Sequence, residues 1–200
     1  MDKVFNPGDL RDKIEIMEIQ HLQNNYSWKP VTTAWAQAEQ TIKNNIYSNL
    51  GYGARQINFL IRKQVVTLHK AILWKGKHCF LTDIKEIDRA YFEVTAALIE
   101  PIMCSVERTD KPILDGLNRP IYVDSNPIYF PACITEKYIR QTQENPMSTI
   151  ESSYVLVTPK VVELIDGELV TINNIAYEVL VSHTLDDYKN EYEIRVRSES

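Results

Sequence analysis

Cysteine is scarce in this sequence: Cys79, Cys104 and Cys133 are odd in number and far apart, with no C-x-x-C spacing. That excludes a disulfide framework and a zinc site of the usual spacing, and fits thiols kept reduced in a cytosol. No stretch approaches the ~18 apolar residues that a membrane-spanning helix requires. The first ten residues carry Asp2 and Asp9 and no apolar run, so a secretory signal peptide is not expected. Positive charge is also short. Lys and Arg number 22 against 27 Asp and Glu, giving a net charge of -5 and a pI near 5.4. This balance argues against a protein whose task is gripping phosphate backbones through released counterions.

What is present is a chain able to fold. The hydrophobic fraction of 44% and charged fraction of 24% lie in the ordinary globular range. A length of 200 residues suits one ordinary domain or two small ones. Nine prolines and abundant Val, Ile, Thr and Tyr favour short strands joined by turns, so the expected class is mainly β.

Along the chain, Asn6-Pro7-Gly8-Asp9 reads as a turn. Residues 13–19 alternate apolar Ile14 and Ile16 with Lys13, Glu15 and Glu18, the period of a half-buried strand. Asn24, Asn25 and Pro30 predict a loop, and residues 32–39 a second strand in which Trp35 is expected to anchor a core. Residues 57–62 predict a third strand. The intervening 42–56, rich in Asn and holding Gly51-Tyr52-Gly53, predicts a mobile loop or a short helix plus loop. Residues 71–74 and 79–83 flank a hairpin turn at Lys75-Gly76, and residues 91–96 close the set. Pro101 then favours a domain boundary near Glu100 and Pro101.

The same order returns beyond it. Residues 103–107 open, 109–127 form a turn-rich connection, and 132–136 take the place of 34–39. A second polar stretch, 138–152, stands where 42–56 stood, and Tyr154-Val155-Leu156-Val157 matches Asn58-Phe59-Leu60-Ile61. Gly76 and Cys79-Phe80-Leu81 align with Asn174 and Tyr177-Glu178-Val179 at a shift of 98, and Phe92-Glu93-Val94 with Tyr192-Glu193-Ile194 at a shift of 100. Two copies are too few for a solenoid. Tandem related domains, 1–101 and 102–200, are expected.

Catalytic chemistry finds little support. His78 and Cys79 are strand neighbours and therefore face opposite ways. His21, His69, His78 and His183 lie in separate elements without metal-ligand spacing. Asp83 with Asp88, and Asp186 with Asp187, fall in predicted turns. Gly51-Tyr52-Gly53 lacks the rest of a nucleotide fingerprint. Trp28, Trp35, Trp74 and eleven tyrosines suit a core better than a stacking platform. No enzyme activity, metal or cofactor is expected.

Asn6-Pro7-Gly8-Asp9-Leu10-Arg11 with Ile14 and Ile16, Thr33-Ala34-Trp35-Ala36-Gln37-Ala38-Glu39, Gly76 with Phe80-Leu81, and residues 91–96 together resemble the bacteriophage head-tail joining proteins, the connector family of adaptors and stoppers. Pro131-Ala132-Cys133-Ile134-Thr135-Glu136-Lys137, residues 143–146 and Ile175-Ala176-Tyr177-Glu178-Val179 carry a more distant likeness to small prophage connector proteins. The family's members are usually one such domain, whereas this chain has the pattern twice.

The resemblance implies two small antiparallel β-barrels in tandem with short helical or loop insertions. It also implies a homo-oligomeric ring in the virion at the head-tail interface, made in the bacterial host cytoplasm. The implied partners are further copies, the portal or adaptor, and a tail-completion or tail-tube protein, with no membrane. Packaged duplex DNA would pass through the channel without tight binding. The candidates for channel or subunit contacts are Asn44, Asn45, Tyr47, Asn49, Gly51, Gly53, Gln56, Gln141 and Gln143. A tail-completion or terminator protein, and an OB-like nucleic-acid-binding barrel, are the alternative readings.

Overall fold

The computed structural model describes residues 7–45, 54–108, 113–114, 120–121, 126–136 and 153–197. The protein is mainly β. A 3-10 turn at Pro7–Asp9 is the single helical element among the described residues. The strands are β1 Asp12–Leu22, β2 Asn25–Asn45, β3 Ala54–Arg62, β4 Ala71–Trp74, β5 Lys77–Glu86, β6 Tyr91–Leu98 and β7 Ile102–Val106. A two-residue pair follows, β8 Ile113–Leu114 with β9 Pro120–Ile121, and then β10 Ile128–Glu136, β11 Ser153–Pro159, β12 Leu169–Ile172, β13 Ile175–His183 and β14 Lys189–Val196.

Twelve strands form one sheet in the order β1-β4-β5-β6-β3-β2-β10-β11-β14-β13-β12-β7, with β1 also pairing β2 and β7 also pairing β10. Two closed circuits result. Each long second strand makes this possible by changing partner along its length. β2 pairs β1 over 25–36 and β3 beyond Ala36; β10 pairs β7 over 128–132 and β11 over 133–136. Between the circuits the ladder is one parallel pair, Tyr129 with Asn25, supported by the Tyr129 amide donating to the Asn24 carbonyl at 2.8 Å.

The circuits have the same strand order and the same register. Ile14 opposite Ala34 becomes Cys104 opposite Phe130, and Ala38 opposite Phe59 becomes Ile134 opposite Leu156. Ile72 opposite Cys79 becomes Val170 opposite Tyr177. Leu81 opposite Ala96 becomes Val179 opposite Ile194, and a bulge follows each of these pairs. The offsets are 90 for β1 (104 minus 14), 96 for β2 (130 minus 34), 97 for β3 (156 minus 59), and 98 for β4 to β6 (170 minus 72, 194 minus 96).

Two of the expected alignments shift. The closing strands correspond at 98 rather than 100, and Tyr154–Val157 matches 57–60 rather than 58–61. A one-residue slip would turn the side chains of β11 to the wrong face.

Each circuit encloses a core. The first holds Ile14, Ala36, Ile57, Phe59, Ile61, Ile72, Cys79, Leu81, Val94 and Ala96. The second holds their counterparts, among them Phe130, Leu156, Val170, Tyr177, Tyr192 and Ile194. Volume is redistributed: Ala34 and Ala38 face Phe59 and Trp74 in the first, whereas Phe130 and Ile134 face Leu156 and Ile172 in the second. A third cluster lies outside both circuits and joins them, with Phe80 and Ala97 against Cys133, Val155 and Val157, and Trp28 and Ile99 beside it.

Several expectations fail for identifiable reasons. Pro30 is not in a loop but in β2, opposite Met17, where a register shift removes the need for its missing N–H. Trp35 does not anchor the core. It is 58% exposed because Ala34 and Ala36 take the inward positions. Asp83 lies within β5 rather than in a turn. The predicted loop 42–56 is strand at both ends, since β2 runs to Asn45 and β3 begins at Ala54.

Candidate functional site

The sequence-predicted contact residues divide into two groups. Asn44 and Asn45 end β2 opposite Arg55 and Ala54, and Gln56 follows on β3, so these three share one hairpin arm. Gln56 is partly buried, its Nε2 donating to Asn58 Oδ1 at 2.9 Å, as a ladder residue rather than a loop one. Tyr47, Asn49, Gly51, Gly53, Gln141 and Gln143 lie outside the described residues.

The neighbours His78 and Cys79 face opposite sides of β5. Cys79 points into the first core, while His78 packs outward against Trp28 and Phe80, with ring centroids 5.2 and 4.6 Å away. Burial pushes the thiols of Cys79 and Cys104 up to about 12, and that of Cys133 further still. Such thiols are not thiolates near neutrality. Burial likewise pushes the His78 imidazole down to about 4. Among the described residues no three His, Cys, Asp or Glu side chains gather as a metal site, and no helix is long and apolar enough to cross a membrane.

The most developed surface feature is one that the sequence reading missed. Leu10, Arg11, Ala34, Trp35, Arg62, Lys63 and Gln64 line an open groove of about 710 Å³ on the first circuit. The end of β3 supplies Arg62, the chain after it Lys63 and Gln64, β2 the exposed Trp35, and the approach to β1 Leu10 and Arg11. Arg11 donates to the Gly8 carbonyl at 3.1 Å, and Lys63 pairs with Glu86 at the rim. Arg62 is exposed and pairs with no acid among the described residues. The groove is therefore cationic with an aromatic wall, on a chain that is acidic overall. The signal in the sequence was the outward parity of Trp35 between two inward alanines.

Two hairpin tips stand apart from this groove, and the second of them carries the acidic pair Asp186 and Asp187. In each, an aspartate oxygen caps the turn: Asp88 Oδ1 accepts from the amides of Ala90 and Tyr91, and Asp186 Oδ1 from those of Tyr188 and Lys189. These are the Asx turns the sequence implied at Asp88 and Asp186. The second tip is held further by Lys160, whose Nζ donates to the carbonyls of Thr184 and Asp186 at 2.7 and 2.6 Å. It also touches the first circuit, where Tyr188 meets His69 edge to face at 5.2 Å beside a small cavity of about 230 Å³. No family model, curated protein or solved structure matches the chain.

Proposed function

We propose that this chain is a structural subunit of a tailed-phage head-tail connector, two barrels duplicated from one ancestor that assemble in a ring between the head and the tail. The observation that carries the reading is the matched register of the two circuits. Each of the six strand pairings of the first recurs in the second at equivalent positions, with the bulge after Leu81 repeated after Val179, and the first differs in running β1 and β2 on from Met17 to Leu22. Duplication and divergence accounts for this with one event, and the boundary then falls at Glu100 and Pro101, between β6 and β7.

Closing each circuit removes the free edges through which an open sheet would pair with other chains. Contacts with partners are left to outer faces, hairpin tips and the two polar segments, which occupy equivalent places between the second and third strands of each circuit. The resemblance of the first half to head-tail joining proteins supplies the assembly context. The acidic balance suits a channel that duplex DNA crosses without adhesion.

The halves are bound to each other through the Trp28, Phe80, Cys133, Val155 and Val157 seam. The subunit therefore acts as one body rather than as two beads on a linker.

The test is a reconstruction of the phage neck from virions that carry this gene. Paired barrels repeated around the channel between portal and tail tube are expected. Virions that lack the chain, or that carry it elsewhere, would overturn the assignment.

A further inference from the structure

From the groove and the second hairpin tip we infer a directional self-contact, in which the Leu185-Asp186-Asp187 tip of one copy docks into the Trp35 groove of another. The inference deepens the ring reading above, and rests on it for the expectation that copies meet at all.

The two surfaces are complementary in both of their components. Leu185 is 99% exposed at the apex of its turn, which is unusual for a leucine on an ordered hairpin. Asp187 beside it is exposed. The groove offers an apolar wall in Leu10 and Trp35 for the leucine, and Arg11 and Arg62 for the carboxylate. Its volume of about 710 Å³ is ample for one hairpin tip. The tip is rigid before contact, held by the Asp186 cap and by Lys160, so docking forfeits little conformational freedom. Among the described residues none of the second circuit lines the groove, and the chain's own Leu185 and Asp187 are not in it.

The duplication itself provides the control. At the position of Asp187 the first circuit has Arg89, and at that of Leu185 it has Ile87, only 36% exposed (offset 98). An arginine there would be repelled by the cationic groove. Conversely, the second circuit has Pro131 for Trp35 (offset 96), Pro159 for Arg62 (offset 97) and Pro101 for Arg11 (offset 90). Its remaining cation, Lys160, is committed to the turn carbonyls. Of the two tips only the second presents a fully exposed leucine with an exposed aspartate, and of the two equivalent surfaces only the first has Trp35 with Arg11 and Arg62. A contact between two different surfaces of one chain is heterologous, and such contacts propagate into rings when the rotation closes.

Disulfide trapping on the full chain tests this. One preparation carries Arg62→Cys and a second carries Asp187→Cys. The native cysteines are at most 1% exposed and do not compete. Mixed and oxidised, the two are expected to form a heterodimer roughly tenfold faster than Asp187→Cys does with Glu18→Cys, an exposed position on the same circuit outside the groove. The double variant Arg62→Cys, Asp187→Cys should give a ladder of linked copies. Equal rates for the two pairings would overturn the contact, and so would suppression of the Arg62–Asp187 crosslink by a single-stranded oligonucleotide that also quenches Trp35, which would make the groove a nucleic-acid site. A neck ring containing this chain but giving no such crosslink refutes the contact alone. A crosslink in a chain that virions lack refutes the connector reading alone.

Discussion

Acid should weaken this fold through His78 before carboxylates are protonated. Its side chain is 7% exposed in the apolar seam between the circuits, against Trp28 and Phe80, and its Nε2 has no hydrogen-bond partner among the described residues. Burial lowers its pKa from 6.5 to about 4. In the unfolded chain the imidazole takes up a proton near pH 6.5; in the folded chain it resists until about pH 4. Between those values the unfolded state binds more protons, so stability falls as pH falls, and no penalty exists well above pH 6.5.

At 1.36 kcal/mol per pH unit, the loss on going from neutrality to about pH 4.5 is roughly 2.5 kcal/mol. That is a substantial share of the ~5–15 kcal/mol typical of a whole fold. The assay is urea unfolding followed by tryptophan fluorescence at both pH values, for the native chain and for His78→Phe. Phenylalanine fits between Trp28 and Phe80 and has no unsatisfied nitrogen, so the variant should be at least as stable at neutrality and should lose about 2.5 kcal/mol less on acidification. Equal losses in the two proteins would refute the placement of His78 in a dry seam.

The hairpin turns, the second core and the thiols give three further tests. Lys75 and Gly76, and Asn173 and Asn174, all have positive φ (50°, 74°, 49° and 65°), so Gly76→Val should cost about 1–2 kcal/mol in chemical denaturation, whereas Asn174→Gly should be neutral or stabilising. The Tyr192 hydroxyl accepts from the Leu164 amide at 2.9 Å and donates to the Val162 carbonyl at 3.1 Å, which seats Val162 and Leu164 over the second core. Tyr192→Phe should therefore cost about 1–3 kcal/mol, and a loss below ~0.5 kcal/mol would show that this cover is not held there. Cys79, Cys104 and Cys133 should react with an aromatic disulfide reagent only as the chain unfolds, and a rapid stoichiometric reaction of the folded protein at neutral pH would contradict their burial.

Much of this architecture is local in origin and was legible in the sequence. Alternation at Ile14 and Ile16 marks β1, Lys75-Gly76 and Asn173-Asn174 set the two tight turns, and Asp88 and Asp186 cap the two hairpin tips. Each of these depends on neighbours within about four residues. The mainly β class and the return of the pattern after Pro101 follow from them.

What the tertiary structure decided is non-local. Whether β1 meets β2 as well as β4, and so whether a circuit closes, depends on pairing over long separations that no local pattern encodes. The offsets grow from 90 to 98 because the two circuits differ in the lengths of their connections, and a slip of one residue inverts a face. Parity within β2 put Trp35 outward and two alanines inward, so residue size misled where position ruled. The groove joins residues 10–11, 34–35 and 62–64, three segments separated by more than twenty positions each, and only the closing of the first circuit brings their cations around one tryptophan.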